Sequence, residues 1–207
     1  MNVFLFFSLI LPYVLAMTPT PCCWAPQYEA TIFQLGGYVD PTYGPIAIDG
    51  GLKMYYDSIG KRMRVESTFR NPDGSLRRTR DIVYPEKGMG YHLNDDGSCL
   101  TFTYVASPFT DIHCINRTAT FTGQQVLGSQ TSHDQVNSFR YQGRNTTVLY
   151  TTTENCNAPV RIALYGAIGQ HGEYGARADM YSDYYPGIHD PSIFDPPTTC
   201  SEVPVGR

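Results

Sequence analysis

The chain has 207 residues, of which 42% are apolar, 13% aromatic and 16% charged, with a formal net charge of −4. That composition excludes a mainly disordered chain and describes one globular domain with a sizeable core. Fifteen Lys and Arg against nineteen Asp and Glu, scattered without long runs, leave no electrostatic footprint for nucleic acid or an anionic membrane. Sixteen Tyr and nineteen Gly beside a single Trp suit twisted sheets and tight turns.

From the N-terminus, Val3 to Leu15 is an apolar run of signal-peptide length that ends at Ala16. It is too short and too broken by Pro12 to span a bilayer, which takes about 20 apolar residues. The expectation is a signal peptide over residues 1–16 and a single secreted domain over 17–207, with a lysosomal lumen as the alternative destination. Six cysteines (Cys22, Cys23, Cys99, Cys114, Cys156 and Cys200) agree with an oxidising compartment. Adjacent Cys22 and Cys23 would be strained as a bridge to each other and so reach different partners, but the residues alone leave the connectivity open. A zinc site is disfavoured, because no Cys-x-x-Cys pair occurs and the five His are dispersed. Asn116-Arg117-Thr118 and Asn145-Thr146-Thr147 are N-glycosylation sequons, which in a secreted chain imply exposed backbone.

From Tyr28 the chain reads as short β-branched and aromatic runs separated by Gly, Asn, Asp and Pro turns, the pattern of an all-β protein. In order, strands are predicted at Tyr28–Leu35, Ile46–Tyr56, Arg62–Phe69, Leu76–Tyr84, Met89–Leu93, Cys99–Val105, Thr118–Leu127, Gln135–Tyr141, Thr146–Thr153, Val160–Tyr165 and Tyr174–Tyr185. Arg62 to Glu66 and Leu100 to Val105 alternate apolar with polar, as half-buried antiparallel strands do. Hairpin chemistry sits at Asp57–Gly60, Asn71–Gly74 and Asn94–Gly97. A meander of about ten strands exceeds what a flat sheet holds, so the sheet must curl, split or close around a cavity. Asp190 to Phe194 can form one helical turn before the extended Asp195-Pro196-Pro197.

Two blocks, Pro21-Cys22-Cys23-Trp24-Ala25-Pro26 and Gly187 to Cys200 (GIHDPSIFDPPTTC), closely resemble the ependymin-related proteins. Tyr55 to Glu66, Gly97-Ser98-Cys99, Asp111 to Thr118 and Asn155-Cys156 follow in that family's order, so the similarity runs from Pro21 to Cys200. The resemblance implies a fold similar to bacterial lipoprotein carriers: all-β, mainly antiparallel, two stacked curved sheets forming a half-barrel around an apolar pocket, with minor helix. It further implies a secreted glycoprotein, a homodimer, and association with fatty acids or other lipids, with calcium, or with extracellular matrix in cell-matrix adhesion. By the same resemblance Cys23 pairs with Cys156 and Cys99 with Cys200. The family's third bridge has neither end here, and Cys22 with Cys114 is expected in its place, exchange of partners between Cys22 and Cys23 remaining open. Asn116 falls at the family's glycosylation position, while Asn145 has no counterpart there.

Given such a pocket, inward aromatics are its expected lining, with Phe102, Tyr104, Phe121 and Phe139 as candidates. The acidic aromatic stretch Asp179, Tyr181, Asp183, Tyr184, Tyr185 and Asp190 reads as a pocket mouth or dimer surface, against an ordinary sheet edge. Asn94-Asp95-Asp96-Gly97 offers oxygens to calcium but lacks the EF-hand spacing and is better read as a turn. No G-x-S-x-G, H-E-x-x-H or comparable catalytic motif occurs, and no enzyme is expected.

Overall fold

The structure, a computed structural model, describes residues 18–70, 74–103, 105–128, 133–168, 173–198 and 200–202. The expected signal peptide over 1–16, most of the Asn71–Gly74 turn, and Tyr104 lie outside the described residues.

Twelve strands form one open sheet: β1 (Gln27–Asp40), β2 (Gly44–Asp57), β3 (Arg62–Arg70), β4 (Leu76–Tyr84), β5 (Met89–Asn94), β6 (Cys99–Thr103), β7 (Thr120–Gly128), β8 (His133–Gln142), β9 (Thr146–Thr153), β10 (Pro159–Ala167), β11 (Tyr174–Pro186) and β12 (Ser201–Glu202). Their order is β12-β6-β5-β4-β3-β2-β1-β11-β10-β9-β8-β7, antiparallel throughout except for the short parallel pair β12 and β6. The all-β half-barrel is therefore present, and its two expected layers are the flanks of a single continuous hydrogen-bonded sheet. β6 and β7 lie near or at opposite ends of that order. The chain between them must consequently cross the sheet, and residues 105–119 run as a strap over its inner face.

The strap and the N-terminal segment close the core. Trp24, Tyr28, Ala30, Ile32, Leu52, Tyr56, Ile115, Ala119 and Phe139 form the buried cluster, with Phe109, Ile112 and Phe121 packed on it. Tyr28 stacks on Tyr56 at 5.1 Å and tilts against Tyr184 at 5.4 Å. The outer face carries a smaller core where the chain after β11 folds back. There the one-turn helix expected at Asp190 to Phe194 forms a 3-10 turn over Pro191–Phe194, capped by the Asp190 carboxylate accepting from the Ser192 amide at 2.9 Å. Phe194 is fully buried under it, with the Arg62 guanidinium 4.3 Å over its ring and the Tyr84 hydroxyl donating to its carbonyl at 2.5 Å.

β1 runs longer than its side chains suggest, on from Leu35 through Gly36 and Gly37 to Asp40. Glycine weakens a strand, so such a pair reads as a strand end. Here it permits close approach: a Cβ on Gly36 would stand 2.1 Å from the Ala176 carbonyl oxygen of β11.

All six cysteines are bonded, but two of the expected pairings are corrected. The bridges are Cys22–Cys156, Cys23–Cys114 and Cys99–Cys200. Cys23 does not pair with Cys156, nor Cys22 with Cys114, and the reason is backbone alternation. Cys23 and Cys114 face each other in an isolated antiparallel bridge, flanked by Trp24 N–H to the His113 carbonyl and Ile115 N–H to the Cys22 carbonyl, both at 2.9 Å. Their Cα atoms are 4.0 Å apart, so their side chains meet. Cys22, one residue earlier, points the other way along extended backbone and reaches Cys156 in the β9–β10 turn.

Candidate functional site

Between the strap and the inner face of β1, β2, β9, β10 and β11 lies a cavity of about 510 Å³. Its floor follows from strand alternation and register. Ile32 pairs across to Leu52 on one side and Tyr181 on the other, Ile162 to Tyr150, and Leu164 to Val148. These side chains and Met54 make an apolar surface that spans five neighbouring strands. The roof is the strap itself, through Ile112, Cys114 and Ile115, with Asp111, Asn116 and Arg117 on it. Trp24 and the Cys23–Cys114 bridge hold that roof at its N-terminal side.

One part of the floor is polar. Gln34 is the β1 partner of Asp179 on β11, and Arg177 lies one inward position along. Asp179 is 8% exposed. It accepts from the Gln34 side-chain amide at 2.9 Å and from Arg177 Nη2 at 3.0 Å, and Arg177 Nε stands 3.0 Å from its other oxygen. Burial and then the nearby Asp179 carboxylate raise the Tyr181 phenol well above its ordinary range, and burial raises Tyr150. Both phenols are neutral at physiological pH, so the charges on the floor are Arg177 and Asp179 alone.

The sequence-predicted lining residues are placed elsewhere. Phe139 is buried and meets Phe121 edge-on at 5.6 Å inside the core cluster. Phe102 lies on β6, its ring over Gly90 of β5, far along the sheet. None of these three lines the 510 Å³ cavity, and Tyr104 is outside the described residues. The acidic aromatic stretch divides. Asp179 and Tyr181 line the cavity, Tyr184 accepts the Ala25 amide at 3.2 Å, Tyr185 stacks on His189 at 3.7 Å, and Asp190 caps the 3-10 turn. Asp183 takes a left-handed φ of 47° and is exposed.

Asn94 to Gly97 form a turn. Gly97 has φ 81° and donates to the Asn94 carbonyl at 3.1 Å, and the Asp96 carboxylate accepts the Ser98 amide at 2.8 Å. Among the described residues, the group of three close metal donors is Cys23, His113 and Cys114, whose two sulfurs are bonded to each other. Asn116 and Asn145 are both exposed; Asn116 sits at the rim of the cavity, its side-chain oxygen accepting from the Thr118 hydroxyl at 2.8 Å.

The real floor carried only a partial sequence signal: Ile162 and Leu164 hold every second position of β10, and Ile32 and Gln34 every second position of β1, while apolar Ala163 and Phe33 between them break the alternation. Gln34 and Asp179 on inward positions were the readable oddities in it.

The family described as Ependymin matches residues 77–200 of the chain. The chain is also 28% identical over 190 residues to Ependymin-related protein 2 from Haliotis asinina, an alignment that covers 86% of this chain and 89% of that one.

Proposed function

Since the chain belongs to the ependymin family, we propose that it is a secreted glycoprotein that takes a fatty acyl chain or related lipid into the cavity beneath the strap. The observation that supports this is the cavity itself. At about 510 Å³ it falls in the range of small-molecule sites, and it combines an apolar floor with a few convergent polar groups. Each methylene buried there contributes about 0.8 kcal/mol. The Gln34, Arg177 and Asp179 cluster gives the polar head one direction in which to lie. Glycans on Asn116 and Asn145 complete the extracellular form, with Asn116 at the cavity rim.

Association as a homodimer belongs to the same proposal. Phe33, Leu35 and Met180 are 52%, 51% and 36% exposed on the outer face, and Phe33 and Met180 are cross-strand partners. An apolar cluster of this kind suits a protein contact.

Native mass spectrometry before and after solvent extraction tests the carrier reading. The expected result is a stoichiometric lipid adduct that extraction removes and added lipid restores. A protein that carries no lipid, takes none up and sediments with matrix in calcium would replace this reading with one of calcium-dependent matrix adhesion.

A further inference from the structure

Resting on the cavity reading above, we infer that the cavity selects an uncharged acyl lipid, with a glyceride-type head of hydroxyl and ester groups, over a free fatty-acid anion. Arg177 is the cation on the cavity floor, and it is already engaged. Asp179 holds its guanidinium through two N···O approaches of 3.0 Å, one of them a hydrogen bond from Nη2, and takes a second hydrogen bond from Gln34. A fatty-acid carboxylate that claimed Arg177 would leave the 8% exposed Asp179 carboxylate without its cation. Taking the cation from a buried carboxylate in that way is unfavourable, although the Arg177 side chain itself is 32% exposed. Sharing Arg177 instead would bring two carboxylates together where the dielectric is low.

The roof does not alter the balance. It adds one arginine, Arg117, and one aspartate, Asp111, so the lining holds two arginines and two aspartates and no net positive charge. An uncharged head makes neither demand. Of five guanidinium N–H donors, those not spent on Asp179 remain for an ester carbonyl. The Gln34 amide, fixed through its nitrogen by Asp179, turns its carbonyl to accept a hydroxyl. The Gln34, Asp179 and Arg177 triad thus serves as a specificity element for a neutral head.

Displacement of the uncharged dye N-phenylnaphthylamine from the delipidated protein by monolaurin and by laurate, at neutral pH and below micellar concentrations, tests this with acyl chains of equal length. Monolaurin is expected to compete at least ten-fold more tightly than laurate. Asp179→Asn, which frees the Arg177 charge, should raise laurate affinity by a similar factor and so narrow or abolish the difference between the two lipids. Laurate binding as tightly as monolaurin to the unaltered protein overturns the inference while leaving the cavity reading intact. Failure of the dye and both lipids to bind overturns the cavity reading and this inference with it. The comparison on the unaltered protein decides the matter even if the variant does not fold.

Discussion

Cys23 and Cys114 are joined twice, by a disulfide and by the antiparallel β-bridge in which they face each other with Cα atoms 4.0 Å apart. The contact ties the segment before β1 to the strap between β6 and β7. Cys22 extends the link to the β9–β10 turn through Cys156. The strap has its own hydrogen bonds to the sheet as well, the Ile112 amide donating to the Tyr56 hydroxyl at 3.2 Å. Cavity roof and sheet are therefore one covalently closed unit, in a domain whose inner face is partly hollow.

Removing that tie with Cys23→Ser and Cys114→Ser together should cost about 3 kcal/mol, the usual range for a bridge closing a long loop. Urea unfolding would show it as a lower midpoint. Partial reduction with stepwise alkylation should recover Cys23 linked to Cys114 and Cys22 to Cys156. Recovery of a Cys23 to Cys156 link contradicts the bridge geometry.

Asp57 is 1% exposed and accepts three hydrogen bonds, from Gly60 N–H at 2.7 Å, Gln27 Nε2 at 2.8 Å and Arg62 Nε at 2.8 Å. Burial alone would raise its carboxyl, but these donors outweigh it and hold it below the ordinary carboxylate range. A depressed folded-state value gives stability that is present above the unfolded value and is lost as pH falls through the folded one. Asp57→Asn should therefore destabilise by about 3 kcal/mol at neutral pH. It should also flatten the acid side of the stability profile below pH about 4. An unchanged midpoint in the variant would show that the β2–β3 hairpin does not depend on this ion pair.

The alkaline limb follows from the tyrosine cluster. Burial pushes the Tyr56 phenol up to about 12, and burial followed by neighbouring tyrosines raises Tyr28 further beyond its ordinary value. Unfolded phenols ionise near pH 10 while these retain their protons. The unfolded state then binds fewer protons, and stability declines as pH rises, by about 1.4 kcal/mol per unit for each such group. Phenolate absorbance should show a fraction of the tyrosines silent at pH 11 and released by urea. Complete titration of all tyrosines in folded protein at that pH would contradict the packing around Tyr28.

The strands were legible because period-two alternation and Asn/Gly turns act locally. All eleven predicted strands are present, and their ends move by a few residues. What local signals could not supply was set by pairing across the sheet. The run through Gly36 and Gly37 is extended because β11 passes within contact of it, a fact that Ala176 determines from 140 residues away. Cys22 and Cys23 differ only in which side of an extended segment they face, and the strap, not the local sequence, decides that. Phe121 and Phe139 have the composition of a pocket wall, yet the bulge between Phe121 and Gly123 and the register of β7 on β8 pack them against each other in the core. The polar triad spans β1 and β11, so Gln34 and Asp179 become neighbours only when the hydrogen-bond register between those strands is known.

Adjacent residues on β10 offer the sharpest check of where a ligand lies. Leu164 faces the cavity opposite Arg177 and Val148, whereas Tyr165 is on the outer face and 46% exposed. Leu164→Trp puts an indole into a space of about 510 Å³, beside the Arg177 that Leu164 faces across the strands. It should lower lipid uptake at least ten-fold with a small change in thermal midpoint, because the added volume enters a hollow rather than a packed core. Tyr165→Trp, one residue on, should leave uptake unchanged, since alternation sends its side chain to solvent. Dye uptake measured on both variants separates the two faces. Loss of uptake in Tyr165→Trp with retention in Leu164→Trp would move the binding site to the outer face, where Phe33, Leu35 and Met180 lie.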